Sequence, residues 1–168
     1  VKLKFDFVTN SSSSSFIVVW PFKIKTFDDV KQFIKNTDHA KLLFGNATTQ
    51  IPLTIKKRKL LEKITTEISQ GYIKEKISYT DYKKQFMERH KISQEQFNSD
   101  NSIQIIFYNE QRKKDSELAA SIANNFIKDL KGTDYIYIFE IKDDTEIGSK
   151  MEHGGIFREL KYHRVNKH

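Results

Sequence analysis

The chain has 168 residues, of which 38% are hydrophobic and 30% charged, with a net charge of +7 and no cysteine. A chain of this length can bury roughly 70% of its unfolded surface, so one domain over residues 1–168 is expected, and the missing thiols exclude disulfides and thiolate metal centres. No apolar run reaches the roughly 20 residues needed to span a bilayer, and the opening residues alternate where a signal peptide would form an apolar block; a cytoplasmic protein without membrane contact is the expectation.

In chain order, Lys2-Leu3-Lys4-Phe5-Asp6-Phe7 alternates polar and apolar side chains at the period of a half-buried strand. Five serines follow, and then Phe16-Ile17-Val18-Val19-Trp20, a continuous apolar run expected of a strand covered on both faces. Trp20 before Pro21 suits a strand end packed in the core, the alternative being an exposed base-stacking ring. Thr26-Phe27-Asp28-Asp29 has the form of a capping box, with Val30, Phe33 and Ile34 on one helical face. Leu60, Leu61, Ile64 and Ile68 give a second amphipathic face, closed by Gly71. Ser78 with Asp81, and Ser93 with Gln96, mark two further helix starts of shared design, while His39 and His90 are read as structural residues near helix ends. Ile103-Gln104-Ile105-Ile106-Phe107-Tyr108 reads as a strand, residues 115–131 as a helix and residues 135–141 as a long strand. The last three elements would form a right-handed parallel βαβ unit. The expected fold is therefore α/β, a mixed sheet of about four strands with helices packed on it; α+β is the alternative.

Several segments carry candidate chemistry. Asn10, Ser11, Ser12, Ser13, Ser14 and Ser15 are expected to form a short loop whose hydroxyls and N–H groups could line an anion site. The loop has neither the glycines nor the Lys-Ser/Thr ending of a P-loop, so a solvated turn is the competing reading. Beyond the long strand stand Glu152 and His153, a carboxylate–imidazole pair suited to acid–base work, next to Gly154 and Gly155, which permit close backbone approach. His163, Arg164 and His168 follow as ligand-binding candidates, Arg164 as a charge-stabilising group, without any standard zinc spacing. From Thr54 to Lys91 there are eleven Lys and Arg against five Asp and Glu, a balance of +6, densest at Lys56, Lys57, Arg58 and Lys59. Such an excess is either the footprint of phosphate-backbone or acidic-partner binding or a merely solvated lysine-rich face.

Residues 6–18, with the serine tract at their centre, resemble the opening of a group of small proteins from bacteriophages and low-GC bacteria. Those proteins often close with a stretch similar to Gly148–Phe157, a His-Arg segment like His163-Arg164 and a final histidine like His168. The resemblance implies a lineage and suggests that the two ends act together; it supplies no mechanism. Three functional readings follow. In the first, the serine loop, Glu152, His153 and Arg164 bind a nucleotide or nucleic acid and carry out phosphoester chemistry, in which positioning and positive charge supply much of the catalysis. In the second, a non-enzymatic protein binds nucleic acid or a host protein through the basic helices. In the third, the protein sequesters a nucleotide without turning it over. No pattern in the chain names a cofactor or a metal.

Overall fold

A computed structural model describes residues 13–47, 50–52, 55–74, 76–132, 134–142 and 155–167. The chain divides into two compact units, Val1–Lys56 with Lys131–His168, and Lys57–Leu130. Strands and helices are both present in the α/β manner expected, and no described helix is long and apolar enough to cross a membrane.

The first unit is built on a sheet of four described strands in the order β2-β3-β1-β4. The apolar run becomes β1 (Ser13–Trp20), which starts inside the serine tract. It pairs antiparallel with β3 (Tyr135–Lys142) on one side and β4 (Tyr162–Asn166) on the other. The three-residue β2 (Gln50–Pro52) lies antiparallel against β3, at the sheet edge, where Pro52 breaks no inner ladder. Every described pairing is antiparallel, so the expected mixed sheet is corrected to an antiparallel one.

Alternation along β1 puts Ser14, Phe16, Val18 and Trp20 on one face. Phe16, Val18 and Trp20 join Tyr137, Phe139 and Ile141 of β3 and Val30, Ile34, Ala40 and Leu43 from α1 (Phe27–Lys31), α2 (Thr37–Asn46) and the turn between them. Trp20 is fully buried, edge-on to Phe33 with ring centroids 5.3 Å apart, so it packs the core and offers no stacking surface. Thr26 caps α1 with the expected box: Asp29 N donates to Thr26 Oγ1, and Asp29 Oδ2 accepts from Thr26 N at 2.7 Å. Asn36 caps α2, accepting from Asp38 N and His39 N. His39 thus sits in the first turn, where an imidazolium would oppose the helix dipole, not in the favourable last turn. His90 is in the last turn of α4 (Tyr79–His90), as expected.

The second unit holds α3 (Lys57–Ser69), α4, α5 (Gln94–Ser99) and α6 (Asn101–Ile127). Leu60, Ile64 and Ile68 form the buried stripe of α3, which packs on α6. Ser93 and Gln96 close a full capping box at α5. At α4 the Asp81 carboxylate accepts from the Ser78 hydroxyl itself, at 2.7 Å, instead of reaching back to the backbone.

The largest departure from expectation is α6. Residues 103–108 are helical, so there is no βαβ unit. Asp100 caps the helix by accepting from Ser102 N and Ile103 N, and no glycine or proline interrupts residues 101–127. Phe107 is buried among the rings of Tyr82, Phe86 and Phe97, whereas Ile105, Ile106 and Tyr108 are exposed. Burial follows a helical turn and not a two-residue alternation; tertiary packing has overridden the β-propensity of the isoleucines.

Candidate functional site

The described part of the serine tract, three of its five residues, is strand, not loop. Ser13, Ser14 and Ser15 stand opposite Lys142, Ile141 and Glu140 of β3, and Ser14 and Ser15 face Asn166 and Val165 of β4. Ser14 and Ser15 are 1% and 0% exposed, so neither hydroxyl lies open to a ligand. Ser14 Oγ instead accepts from Arg164 Nε at 3.4 Å and Nη2 at 3.2 Å. The expectation that Ser13, Ser14 and Ser15 belong to a short loop is therefore corrected: β3 pairs all three in register, and β4 pairs Ser14 and Ser15, which are buried. Asn10, Ser11 and Ser12 lie outside the described residues, as do Glu152, His153 and His168.

Among the described residues, β1 and β4 bring the serine tract and the His163-Arg164 segment side by side. Phe16 is opposite Arg164 and Ile17 opposite His163, which places Arg164 on the helix-covered face and His163 on the other. Lys167 N donates to Ser13 O at 3.0 Å, and Lys167 Nζ is 3.6 Å from the Glu140 carboxylate. Gly155 shapes its own turn. Its φ is +58°, and a Cβ there would lie 2.7 Å from Arg158 Nε. The same turn delivers Phe157 into the core, with ring centroids 5.9 Å from Phe139.

The basic helices present a different environment. Lys56 precedes α3, and Lys57, Arg58 and Lys59 open it; all four are exposed. Arg58 reaches Glu62 at 3.3 Å, but among the described residues no carboxylate pairs with Lys57, Lys59, Lys63 or Lys84. Three other cations of the second unit are engaged. Lys76 pairs with Asp115, Arg89 with Glu110 at 3.0 Å, and Lys83 lies over the Phe97 ring at 4.3 Å. Glu110 also takes His90 Nε2 at 3.4 Å and accepts from Tyr82 Oη at 3.4 Å, so His90 belongs to a structural hub.

Among the described residues no three His, Asp or Glu side chains gather as a metal site. Two tyrosines have displaced acidities. Burial pushes the Tyr137 phenol up, against the opposing effect of its hydrogen bond from Ile24 N. The hydrogen bond with Tyr108, followed by burial, pushes Tyr79 up. Neither group is poised for acid–base work near neutrality. No family model matches the chain, and no curated protein or solved structure matches it.

Proposed function

We propose that the protein is a non-enzymatic binder of phosphate-bearing polyanions, nucleic acid first, through the exposed cations that open α3 and continue along α3 and α4. The observation that carries this reading is the run Lys57, Arg58 and Lys59, exposed in a stretch with a balance of +6 and largely without carboxylate partners among the described residues. Like charges crowded on the first turn of a helix are unfavourable for its dipole, each by about 0.3–1 kcal/mol. An anion there relieves both the crowding and the dipole, so the arrangement suits a partner better than it suits the free fold.

The test is fluorescence anisotropy with a labelled DNA duplex over a salt series. Counterion release makes log K fall with log salt at about −0.9 per phosphate neutralised. Lys57→Glu, Arg58→Glu and Lys59→Glu together are expected to weaken binding and flatten that slope by roughly three phosphate equivalents, about 2.7. Glutamates also suit a helix start, so the fold is retained. Binding unchanged by the reversal, or insensitive to salt, would remove this surface from consideration.

A second reading places a phosphate ligand at the joined chain ends, with Glu152 and His153 as acid–base groups. The pairing of β1 with β4 favours it by setting the serine tract beside the His163-Arg164 segment. Its test is turnover of nucleotide and nucleic-acid substrates by the chain and by His153→Ala. Absent turnover leaves the binding reading alone.

A further inference from the structure

The helical unit contains a cavity of about 220 Å³. It opens between the segment entering α4 and one face of α6. Gln111, Lys114, Asp115 and Leu118 recur at three- and four-residue spacing and so share that face. Ile77, Tyr82 and Leu118 give it apolar walls. Ile77 precedes the Ser78 cap and Tyr82 lies on the first turns of α4, the two positions of a hydrophobic staple. Ile77 is nonetheless 43% exposed, an apolar side chain left facing accessible space.

Charge at this cavity does not cancel. Lys76 is neutralised by Asp115. Lys114 has its ammonium 4.9 Å from the centre of the Tyr82 ring, and no carboxylate reaches it among the described residues. Among the described residues the site thus carries one uncompensated positive charge beside an apolar pocket, with the Gln111 amide as a neutral hydrogen-bonding group. The space equals that of about seven waters at about 30 Å³ each, which suits one six-membered ring with a short substituent.

We infer that this cavity binds a small organic monoanion with an apolar body, of the aromatic-carboxylate class. The ring lies between Ile77, Tyr82 and Leu118, and the carboxylate meets Lys114. The inference is independent of polyanion binding, because it uses none of the cations at the start of α3.

The test titrates the full chain with benzoate, benzyl alcohol, benzylamine and acetate, following amide and methyl resonances. Benzoate is expected to bind saturably and to shift Ile77 and Leu118, benzylamine and acetate to bind at least tenfold more weakly, and benzyl alcohol to fall between. Lys114→Met is expected to weaken benzoate at least tenfold while leaving benzyl alcohol and the melting temperature unchanged. Leu118→Trp, which fills the cavity, should abolish binding of both. No saturable benzoate shift at millimolar concentration overturns the inference, as does equal affinity for benzoate and benzylamine or unchanged benzoate affinity in Lys114→Met.

Discussion

Phe107→Ala and Ile105→Glu, compared side by side, test the arrangement of the helical unit. Phe107 is fully buried, and five aromatic rings surround it at 5.2–5.5 Å between centroids: Tyr79, Tyr82, Phe86, Phe97 and Tyr108. Removing a buried phenylalanine side chain costs about 3–5 kcal/mol. That is a large fraction of the about 5–15 kcal/mol by which a domain is stable. Ile105, two residues away, is 60% exposed, so a glutamate there is expected to change stability by no more than about 0.5 kcal/mol. Urea denaturation followed by far-ultraviolet circular dichroism reads the helices directly. With an m-value of about 1–3 kcal/mol/M, Phe107→Ala should lower the midpoint by at least about 1 M and Ile105→Glu should barely move it. In an extended strand, residues 105 and 107 would share a face and the two substitutions would be comparably damaging. Comparable losses would therefore refute the helical assignment of residues 103–108.

Tyr137→Phe should cost about 1–3 kcal/mol in a thermal or urea melt, because it strips the acceptor from the buried Ile24 N–H, held at 2.7 Å; an unchanged midpoint would contradict that role. The Tyr137 phenol, pushed up mainly by burial, should stay neutral as pH passes its ordinary value of 10.0 while the unfolded chain ionises, so stability falls with rising pH there. Ultraviolet titration of the folded chain checks this against Tyr137→Phe. The Asp29 carboxyl is held below its ordinary 3.8 chiefly by hydrogen bonds from Lys25 N and Thr26 N. Its support of α1 is accordingly present above the ordinary carboxylate range and lost as pH falls through the lowered value; a carboxyl ¹³C titration with its midpoint at or above 3.8 would contradict the capping box.

Elements whose signals are local were legible in the sequence. The box at Thr26 and Asp29 and that at Ser93 and Gln96 act within four residues of chain, and both form as read. The apolar runs at residues 16–20 and 135–141 pair with each other in the sheet. What depended on distant partners was hidden. Tyr162–Asn166 has the polar, charged composition of a tail, and is a strand because β1 offers it an edge. Ser13–Ser15 have the composition of a loop and are strand for the same reason. In α6 residues 109–114 contain neither glycine nor proline, so nothing in the sequence separates the apparent strand from the following helix. At the site, the structure joined Ser14 to Arg164 and left the cavity at Leu118 as a feature no linear motif announces.

The serines and the lysines, the two most conspicuous compositional features of the chain, part company once their surroundings are known. A buried hydroxyl is costly unless it is satisfied, and Ser14 is satisfied by Arg164. Ser15 Oγ, equally buried, has no hydrogen-bond partner among the described residues. The lysines that open α3 are exposed and have no carboxylate partner among the described residues. Among the described helices, α1, α2, α4 and α5 each place an acid in the first turn, and α6 has Asp100 as its cap. Only α3 opens on three cations with no acid in that turn. Four helices follow the electrostatic rule for stability and a fifth follows it through its cap, so the sixth is not explained by indifference of the sequence to helix dipoles. The exposed cations that open α3, of which Arg58 alone reaches a carboxylate among the described residues, are therefore the feature that the proposed polyanion reading accounts for.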